Sequence, residues 1–336
     1  MKTAIDSPLI SIIIPHKDDA LFLKNLVHEL ALQTLSSFEI IIVDSSHSEI
    51  KVTKDIFRDD LGLSIKIIHT KNTFPGKARN LGVHHASAKY IAFIDSKSIP
   101  SNDWLQKNYD LLKFSDSKVI LGLFKASDNN LNFFQMLLKA SSYGNLKHVS
   151  VPGSLMAKDI FLSSGGFNEI VGAGEDIEWI ERLHKLNFKV TITNQINFFY
   201  IGFPETVHKA IIKWVFYSFE NAKINILQTQ KSLYFILFMS LILYFIYSWN
   251  YMFTQGEWIK SPYFVPNLNT IVWSVLLLIY ALARGIIMPL IKKEKFLYIF
   301  PARWILIAAL GFLIDISKLP GRIYGLYRIY FPINTK

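Results

Sequence analysis

Three short, mostly apolar runs set the frame for this chain, at residues 9–14, 38–43 and 90–94. The first run is stopped by Pro15, and the other two end in an aspartate, Asp44 and Asp95. Runs of this length and hydrophobicity are typical of strands that are buried on both faces, as in a parallel sheet. Such sheets bind ligands at the carboxyl ends of their strands. We therefore expect Pro15, Asp44 and Asp95 to lie together at one binding edge.

Helical patterns separate these runs and indicate an α/β fold. Apolar residues recur at helical spacing between 23 and 30, residues 76–85 also favour a helix, and 64–69 is predicted to be a further strand. This alternation gives right-handed crossovers and a mostly parallel sheet flanked by helices. The later elements are expected to be a strand at 119–124, helices at 132–142 and 176–186, a strand at 188–193, and loops at 123–132 and 148–158.

Composition narrows the class of protein. The chain has 336 residues, a mean hydropathy of +0.27, a net charge of +10 and no cysteine. The absence of cysteine excludes disulfides, thiolate metal sites and a cysteine nucleophile. The sequence also lacks a P-loop, a Rossmann glycine fingerprint and a Gly-x-Ser-x-Gly elbow. Basic character beside apolar segments favours a membrane surface over nucleic acid, for which no reading motif is present.

The excess of apolar residues lies after residue 230, in segments 233–249, 268–291 and 296–316. The first two approach the roughly 20 residues that a membrane span needs and are predicted to form a transmembrane hairpin. The alternative, that they are core helices of a soluble domain, leaves too little polar chain to cover them. The third segment either crosses the membrane or takes a re-entrant or interfacial course, and its sequence leaves both open.

Charge predicts the orientation in the membrane. Lys292, Lys293 and Lys295 follow the second span, which favours the cytoplasm for that end. The polar N-terminus has no apolar signal-peptide core. We therefore expect a multi-pass protein of the inner (cytoplasmic) membrane, with its N-terminal domain in the cytoplasm. Residues 206–231 are predicted to be a linker or interfacial helix, 232–317 the membrane region, and 318–336 a basic tail.

Several polar motifs have both a chemical and a purely structural interpretation. Asp44 suits a base or ribose hydroxyl, or starts a turn. Lys77 and Arg79 at a helix start suit a diphosphate, or form a solvated basic surface. Glu175 and Asp176 follow a Gly-Ala-Gly entry and open a helix, where adjacent acids can have pKa values that are pushed apart, as a general base needs. Taken singly, none of these motifs decides between the two interpretations.

Taken together and in order, the motifs resemble a family 2 glycosyltransferase of the GT-A fold over residues 9–200. The resemblance is carried by segments 11–15, 39–46, 76–82, 90–97, 153–158, 165–169 and 174–182. It implies a GT-A domain at 1–205 that binds a nucleotide-sugar donor, UDP- or GDP-linked. It also implies that 153–158 and 165–169 face the acceptor.

The resemblance also implies roles for individual residues. Asp176 would deprotonate the acceptor hydroxyl, and Glu175 would orient the acceptor or support that base. The implied nucleotide-sugar contacts are Pro15, Asp44, Lys77, Arg79, Asn80, Asp95 and Lys97. The implied acceptor-side residues are Gly153, Trp179 and Arg182.

Lys97 departs from the family pattern. Members usually carry there the second aspartate that binds Mg²⁺ or Mn²⁺, so Asp95 remains as the single expected metal ligand. An ammonium repels a cation at close range, and it can itself neutralise a leaving diphosphate. The sequence therefore leaves open whether Lys97 replaces the metal. No organic cofactor is implied.

The predicted function is that of a membrane-anchored inverting glycosyltransferase. It would transfer a sugar to a lipid-linked glycan, polyprenyl phosphate or polysaccharide, in surface polysaccharide or glycolipid synthesis. The enzymatic alternative is a processive synthase, which usually needs more spans. The alternative from another class is an inactive sugar-nucleotide-binding scaffold.

Overall fold

The computed structural model describes residues 7–47, 52–57, 62–224, 238, 240–241 and 268–330. The chain divides into two compact units. The first unit comprises Met1–Leu131 and Asn145–Pro204, and the second comprises Asn132–Gly144 and Glu205–Lys336. Residues 132–144 thus belong to the second unit, although the domain boundary expected from sequence places them in the first.

The described part of the first unit contains one mixed sheet. Its strands are β1 (Ile10–His16), β2 (Phe38–Asp44), β3 (Ser64–His69), β4 (Tyr90–Phe93), β5 (Ser98–Pro100), β6 (Val119–Ala126), β7 (Lys147–Ala157), β8 (Val190–Ile192) and β9 (Phe198–Tyr200). Their order is β3-β2-β1-β4-β7-β6-β9-β5, with β8 beside β6. Strands β3, β2, β1 and β4 are parallel, whereas β7 runs antiparallel to both β4 and β6.

Helices occur in both units. In chain order they are α1 (Ala20–Ala31), α2 (Pro75–His84), α3 (Trp104–Phe114), α4 (Phe133–Ser142), α5 (Lys158–Ser163), α6 (Glu175–Lys185), α7 (Val207–Lys223), α8 (Leu268–Leu282), α9 (Met288–Ile291), α10 (Phe296–Ile299), α11 (Arg303–Ser317) and α12 (Leu319–Tyr330). Of these, α4 and α7–α12 belong to the second unit.

The central strand β1 shows why the sheet is buried on both faces. Ile12 and Ile14 pack into one hydrophobic cluster with Leu23 of α1. Ile13 points to the other face and packs into a second cluster with Val83 of α2 and Trp179 of α6. Alternate residues of a strand face opposite sides, so a run of isoleucines is needed to fill both clusters.

The structure confirms the predicted α/β fold and corrects two segments. The strands predicted at 38–44 and 64–69 have those bounds, and the helix at 76–85 is α2, shifted by one residue. Residues 148–158, predicted to be a loop, instead form most of β7. Residues 123–126 continue β6, so the loop predicted at 123–132 begins later than expected.

Within the residues that the structure describes, the second unit contains two helical stretches that are long and apolar enough to cross a membrane. They are Ser274–Ile291, with a mean hydropathy of 2.1, and Arg303–Gly325, with 1.6. The first lies within the predicted 268–291 segment. The second begins at Arg303 rather than at 296, because Phe300 is extended and separates α10 from α11. The segment predicted at 233–249 lies outside the described residues except for 238, 240 and 241.

The inserted helix α4 is tied into the second unit by two lysines. Lys292 Nζ, just after α9, donates to the carbonyl oxygens of Ser141 and Ser142 at 2.5 and 2.9 Å. Lys139 of α4 forms a buried ion pair with Glu294 at 3.2 Å. Cations favour a helix C-terminus because the unpaired carbonyls carry partial negative charge there. These contacts fix α4 to the turn that follows α9.

Candidate active site

Three polar residues end neighbouring strands at one edge of the sheet. His16, Asp44 and His69 are the last residues of β1, β2 and β3 and are paired in register. Pro15 precedes His16 on β1, and Asp95 follows β4 by two residues. The parallel register therefore gathers this polar edge from residues far apart in sequence.

Asp44 holds the chain that follows β2. Its Oδ1 accepts a hydrogen bond from the Ser46 backbone at 3.0 Å, and its Oδ2 accepts one from the Val52 backbone at 2.9 Å. His69 Nδ1 lies 3.2 Å from Oδ2. Burial alone would raise the pKa of Asp44, but the bonds from Ser46 and Val52 outweigh it and lower the pKa below its usual value. The carboxylate is thus ionised, buried and already hydrogen-bonded within the protein.

Arg79 joins two carboxylates from distant parts of the chain. Its Nη1 lies 2.6 Å from Glu175 Oε1, and its Nη2 lies 2.7 Å from Asp95 Oδ1. The guanidinium carbon stands 5.6 Å from the centre of the Phe167 ring. The side chains of Arg79 and Glu175 are 5% and 6% exposed, so this pair forms largely out of water, whereas Asp95 is 39% exposed. One side chain of α2 therefore connects the end of β4 to the start of α6.

Asp176 lies beside this arrangement at the start of α6. The helix begins after Gly174, whose φ of +85° suits glycine better than other residues. Asp176 is half-buried, and its Oδ1 accepts a bond from the Ile177 backbone at 2.8 Å. Burial raises the pKa of Asp176, the charge of Asp95 adds to this, and Arg79 opposes it. Burial likewise raises the pKa of Glu175. A carboxylate with a raised pKa is a better proton acceptor at neutral pH.

Lys97 turns toward α1. It forms an ion pair with Asp19, and its ammonium lies 5.3 Å from the centre of the Phe22 ring. Both charged side chains are about two-fifths exposed. An ammonium has three N–H donors. The pair with Asp19 therefore leaves Lys97 able to donate to a further acceptor.

The donor set at this edge does not fit a divalent cation. Mg²⁺ and Mn²⁺ prefer several oxygen ligands, usually including carboxylates. Here Asp95 is paired with Arg79, and position 97 carries an ammonium. In the described part of the chain, there is no group of three or more His, Asp or Glu residues that could hold a metal ion.

Two of the predicted contact residues hold a backbone turn instead of pointing into open space. Asn80 donates to the Phe167 carbonyl at 2.9 Å, and its Oδ1 accepts from the Phe167 backbone at 2.9 Å. Arg182 donates to the carbonyls of Ser164 and Gly166 at 2.5 and 2.6 Å. Both side chains thus fix the turn before α6. Lys77, by contrast, is exposed in the first turn of α2.

Gly153 and Trp179, expected on the acceptor side, are buried in the framework. The Gly153 carbonyl accepts bonds from Trp104 Nε1 at 2.7 Å and from Asn108 Nδ2 at 2.8 Å. Trp179 is fully buried, and its indole nitrogen donates to Ser164 Oγ at 2.8 Å. Neither residue reaches the surface, so each can influence a ligand only through its neighbours.

Three further residues of this site, His16, Asp19 and Tyr200, are not among those predicted from the sequence. His16 is 3% exposed, and neither of its ring nitrogens has a hydrogen-bond partner among the described residues. Burial lowers its pKa, which leaves a neutral imidazole close to the charges of Asp44 and Lys97. Tyr200 lies on β9, and burial raises its pKa, with the charge of Asp95 adding to the rise. The position of His16 next to Pro15 at a strand end was the available signal, whereas Tyr200 required the fold.

The known proteins that this chain resembles are glycosyltransferases. Residues 11–163 match the family model described as Glycosyl transferase family 2. The chain is 35% identical over 106 residues to an uncharacterized glycosyltransferase of Rickettsia conorii, which covers 31% of this chain and 17% of that protein. It is 22% identical over 206 residues to glycosyltransferase AglE of Haloferax volcanii, which covers 56% and 66%.

Structural similarity extends over most of the chain at low identity. The mannosyltransferase PcManGT from Pyrobaculum calidifontis, in complex with GDP-Man and Mn²⁺, has a TM-score of 0.49 and 13% identity over 94% of this chain and 88% of that one. The match of residues 11–163 agrees with the predicted family, and the mixed sheet flanked by helices agrees with the predicted α/β class. The matches to the first curated relatives span less than half of their length, between 17% and 39%.

Arg79→Met is expected to destabilise the protein by about 3–5 kcal/mol, because it leaves the buried Glu175 carboxylate without a cation. A protonated carboxyl does not need that cation, so the loss should be larger at about pH 8 than at about pH 5. Thermal unfolding of the full chain at both pH values measures it. Lys77→Met, an exposed site on the same helix, is the control and should change stability by less than about 0.5 kcal/mol. An equal loss for Arg79→Met at both pH values would contradict the paired state of Glu175.

Proposed function

We propose that this chain, whose residues 11–163 match the model of glycosyl transferase family 2, is a membrane-anchored, inverting glycosyltransferase. It transfers a sugar from a nucleotide-sugar donor to a lipid-linked or polysaccharide acceptor. The observation that carries the proposal is the Arg79 arrangement, which brings Asp95, Glu175 and Asp176 together at the carboxyl edge of the sheet.

The donor binds along the strand ends. In this proposal the nucleotide lies near Pro15 and Asp44, and its diphosphate approaches Asp95, with Lys77 at the start of α2 as a nearby cation. A UDP- or GDP-sugar fits this chemistry, since backbone N–H groups of a helix start and basic side chains favour phosphate. The hydrogen bonds that Asp44 accepts from Ser46 and Val52 support a role in shaping the base pocket. Arg79 orients Asp95 through their ion pair.

Asp176 is the base that activates the acceptor. It takes the proton from the acceptor hydroxyl, the oxygen forms its bond to the anomeric carbon, and the bond to the diphosphate breaks. The electron pair of that bond leaves on the nucleoside diphosphate, and the sugar is inverted. The raised pKa of Asp176 supports this assignment. Glu175 holds Arg79 and does not take part in proton transfer.

Lys97 neutralises the charge that develops on the leaving diphosphate. Its ammonium occupies the family position of the second carboxylate, and its pairing with Asp19 keeps it beside the strand ends. A fixed positive charge at the leaving group supplies the same electrostatic stabilisation that a cation would. The poor fit of this donor set to a divalent cation supports the substitution.

The second unit anchors the enzyme at the inner (cytoplasmic) membrane, with the family 2 domain in the cytoplasm. The two apolar helical stretches support anchoring, and the lysines at 292, 293 and 295 support a cytoplasmic end for the first stretch. An anchored enzyme meets lipid-linked glycans or polyprenyl phosphates at the bilayer surface. Helix α7, with exposed Ile212 and Phe216, suits an interfacial position.

Asp176→Asn is expected to reduce sugar transfer by about 10²–10⁴-fold, the usual contribution of a general base. Binding of the donor should be unchanged, because the side chain keeps its shape and the Arg79 pairs remain. Transfer is measured as the release of nucleoside diphosphate from a panel of UDP- and GDP-sugars by purified membranes that carry the protein. Glu181→Gln on the same helix is the matched control. Full transfer by Asp176→Asn in an active preparation would favour a scaffold over an enzyme.

Transfer by the native protein should survive exhaustive chelation, because Lys97 supplies the positive charge. Lys97→Met should lower the turnover by about 10²–10³-fold, as removal of one stabilising group of this kind does. Lys97→Asp should regain activity only when Mn²⁺ is added.

Lys24→Met, which removes an exposed lysine of α1, controls for the general loss of charge. The assignment of Lys97 is wrong if the native protein loses transfer with chelator and recovers it with Mn²⁺. The same follows if Lys97→Met remains as active as Lys24→Met.

A further inference from the structure

A charged side chain lies inside one of the apolar helical stretches of the second unit. Residues Ala283–Ile287 continue α8 as a π-helical turn that carries Arg284. Arg284 Nε lies 3.0 Å from Asp315 Oδ2 on α11, and Tyr280 Oη donates to the same oxygen at 3.0 Å. Single π-turns inside α-helices are rare and often occur at functional sites.

Gly311 makes room for this arginine. Arg284 Nη2 donates to the Gly311 carbonyl at 3.2 Å. A Cβ atom at position 311 would stand 3.0 Å from Arg284 Nε, which is closer than ordinary packing allows. The two helices therefore approach in a way that seats the guanidinium between them.

Lys318 brings a second cation to the same carboxylate. Its Nζ lies 3.4 Å from Asp315 Oδ1 and 5.0 Å from the centre of the Trp214 ring on α7. Asp315 thus faces two cations and a phenol. We call Tyr280, Arg284, Asp315, Lys318 and Trp214 the Arg284 cluster. Ionisable groups on apolar helices are costly, and they usually serve a function.

The field around the cluster is positive. Lys292, just beyond the apolar stretch, donates hydrogen bonds to two backbone carbonyls. Its pKa is lowered to about 8, mainly by burial and then by the charges of Arg284 and Lys318, which outweigh the opposing charge of Asp315. Among the described residues of the cluster, the carboxylate of Asp315 therefore does not balance the positive charges of Arg284, Lys318 and the nearby Lys292.

The cluster also offers a donor that lacks an acceptor. Trp214 Nε1 is buried, and within the described residues no hydrogen-bond partner reaches it. A buried donor without a partner costs free energy. The excess of positive charge suits an anion with several acceptor oxygens, and the indole N–H is a further donor on the ring that Lys318 contacts.

We propose that the Arg284 cluster binds the phosphate group of an anionic lipid. Exposed apolar side chains on the same helices, such as Ile287 on the Arg284 helix and Phe312 and Ile316 on the Asp315 helix, favour a lipid over free phosphate because they can contact acyl chains. The phosphate adds negative charge to that of Asp315 and so helps to balance the cations of the cluster. This proposal rests on the membrane anchoring proposed above and does not depend on sugar transfer.

Native mass spectrometry of the full chain in detergent tests the proposal, with dioctanoyl phosphatidic acid as the probe. Lys318→Met keeps the Arg284–Asp315 pair and should weaken binding about fivefold, the usual effect of one basic residue near anionic lipid. Asp315→Asn removes the competing anion and should preserve or strengthen binding. Dioctanoyl phosphatidylcholine should bind weakly to every variant. Lys295 is an exposed lysine just before α10 and serves as the control. The Lys295→Met variant should bind phosphatidic acid as the native chain does.

Opposite effects of Lys318→Met and Asp315→Asn distinguish a phosphate site from a structural ion pair. The proposal is overturned if both variants weaken binding equally, or if phosphatidylcholine binds as well as phosphatidic acid. Displacement of the lipid by an equal concentration of inorganic phosphate would show a free-phosphate site instead.

Flotation of the native chain with phosphatidylcholine vesicles tests anchoring separately, and failure to float would overturn both the anchoring and the lipid site. UDP binding, measured in the same variants, should not change.

Discussion

A buried guanidinium must be paired, and the pairing of Arg79 is the constraint on which the rest of the site depends. The side chain is 5% exposed and meets carboxylates 2.6 and 2.7 Å away. Those carboxylates lie 80 positions apart in the chain, at Asp95 and Glu175, so the contact fixes β4 against α6. Glycine at 76 permits this approach, because a Cβ atom there would stand 2.3 Å from the Asn168 carbonyl. The proposed donor and acceptor sides are thus held by one side chain.

The sequence predicted the parallel half of the fold well, since its strands are continuous apolar runs with polar ends. It failed at β7. Pro152, Gly153 and Ser154 are residues that turns favour, and they suggested a loop. In the fold, β7 is stabilised by antiparallel pairing with β4 and β6, which local sequence does not reveal. The placement of α4 in the second unit likewise depends on contacts with residues about 150 positions away.

Within the site, the roles predicted for individual residues stay predictions, and the structure adds the contacts that their side chains make. Glu175, Trp179 and Leu183 are four residues apart and share one helix face, and all three are buried. Helical spacing alone could therefore have moved Trp179 from the acceptor side to the core. Asn80 and Arg182 could not have been reassigned this way, because their hydrogen bonds go to a turn whose path depends on the tertiary fold. Asp19 as the partner of Lys97 also required the structure.

A double-mutant cycle between Asp95→Asn and Glu175→Gln tests most directly whether Arg79 couples the two halves of the site. The free energy of unfolding of the full chain is measured for the native protein, both single variants and the double variant. Residues in one ion-pair network usually couple by about 0.5–3 kcal/mol, and we expect a coupling in that range through the shared guanidinium. Additive effects within about 0.3 kcal/mol would contradict the account, because the two carboxylates would then be independent.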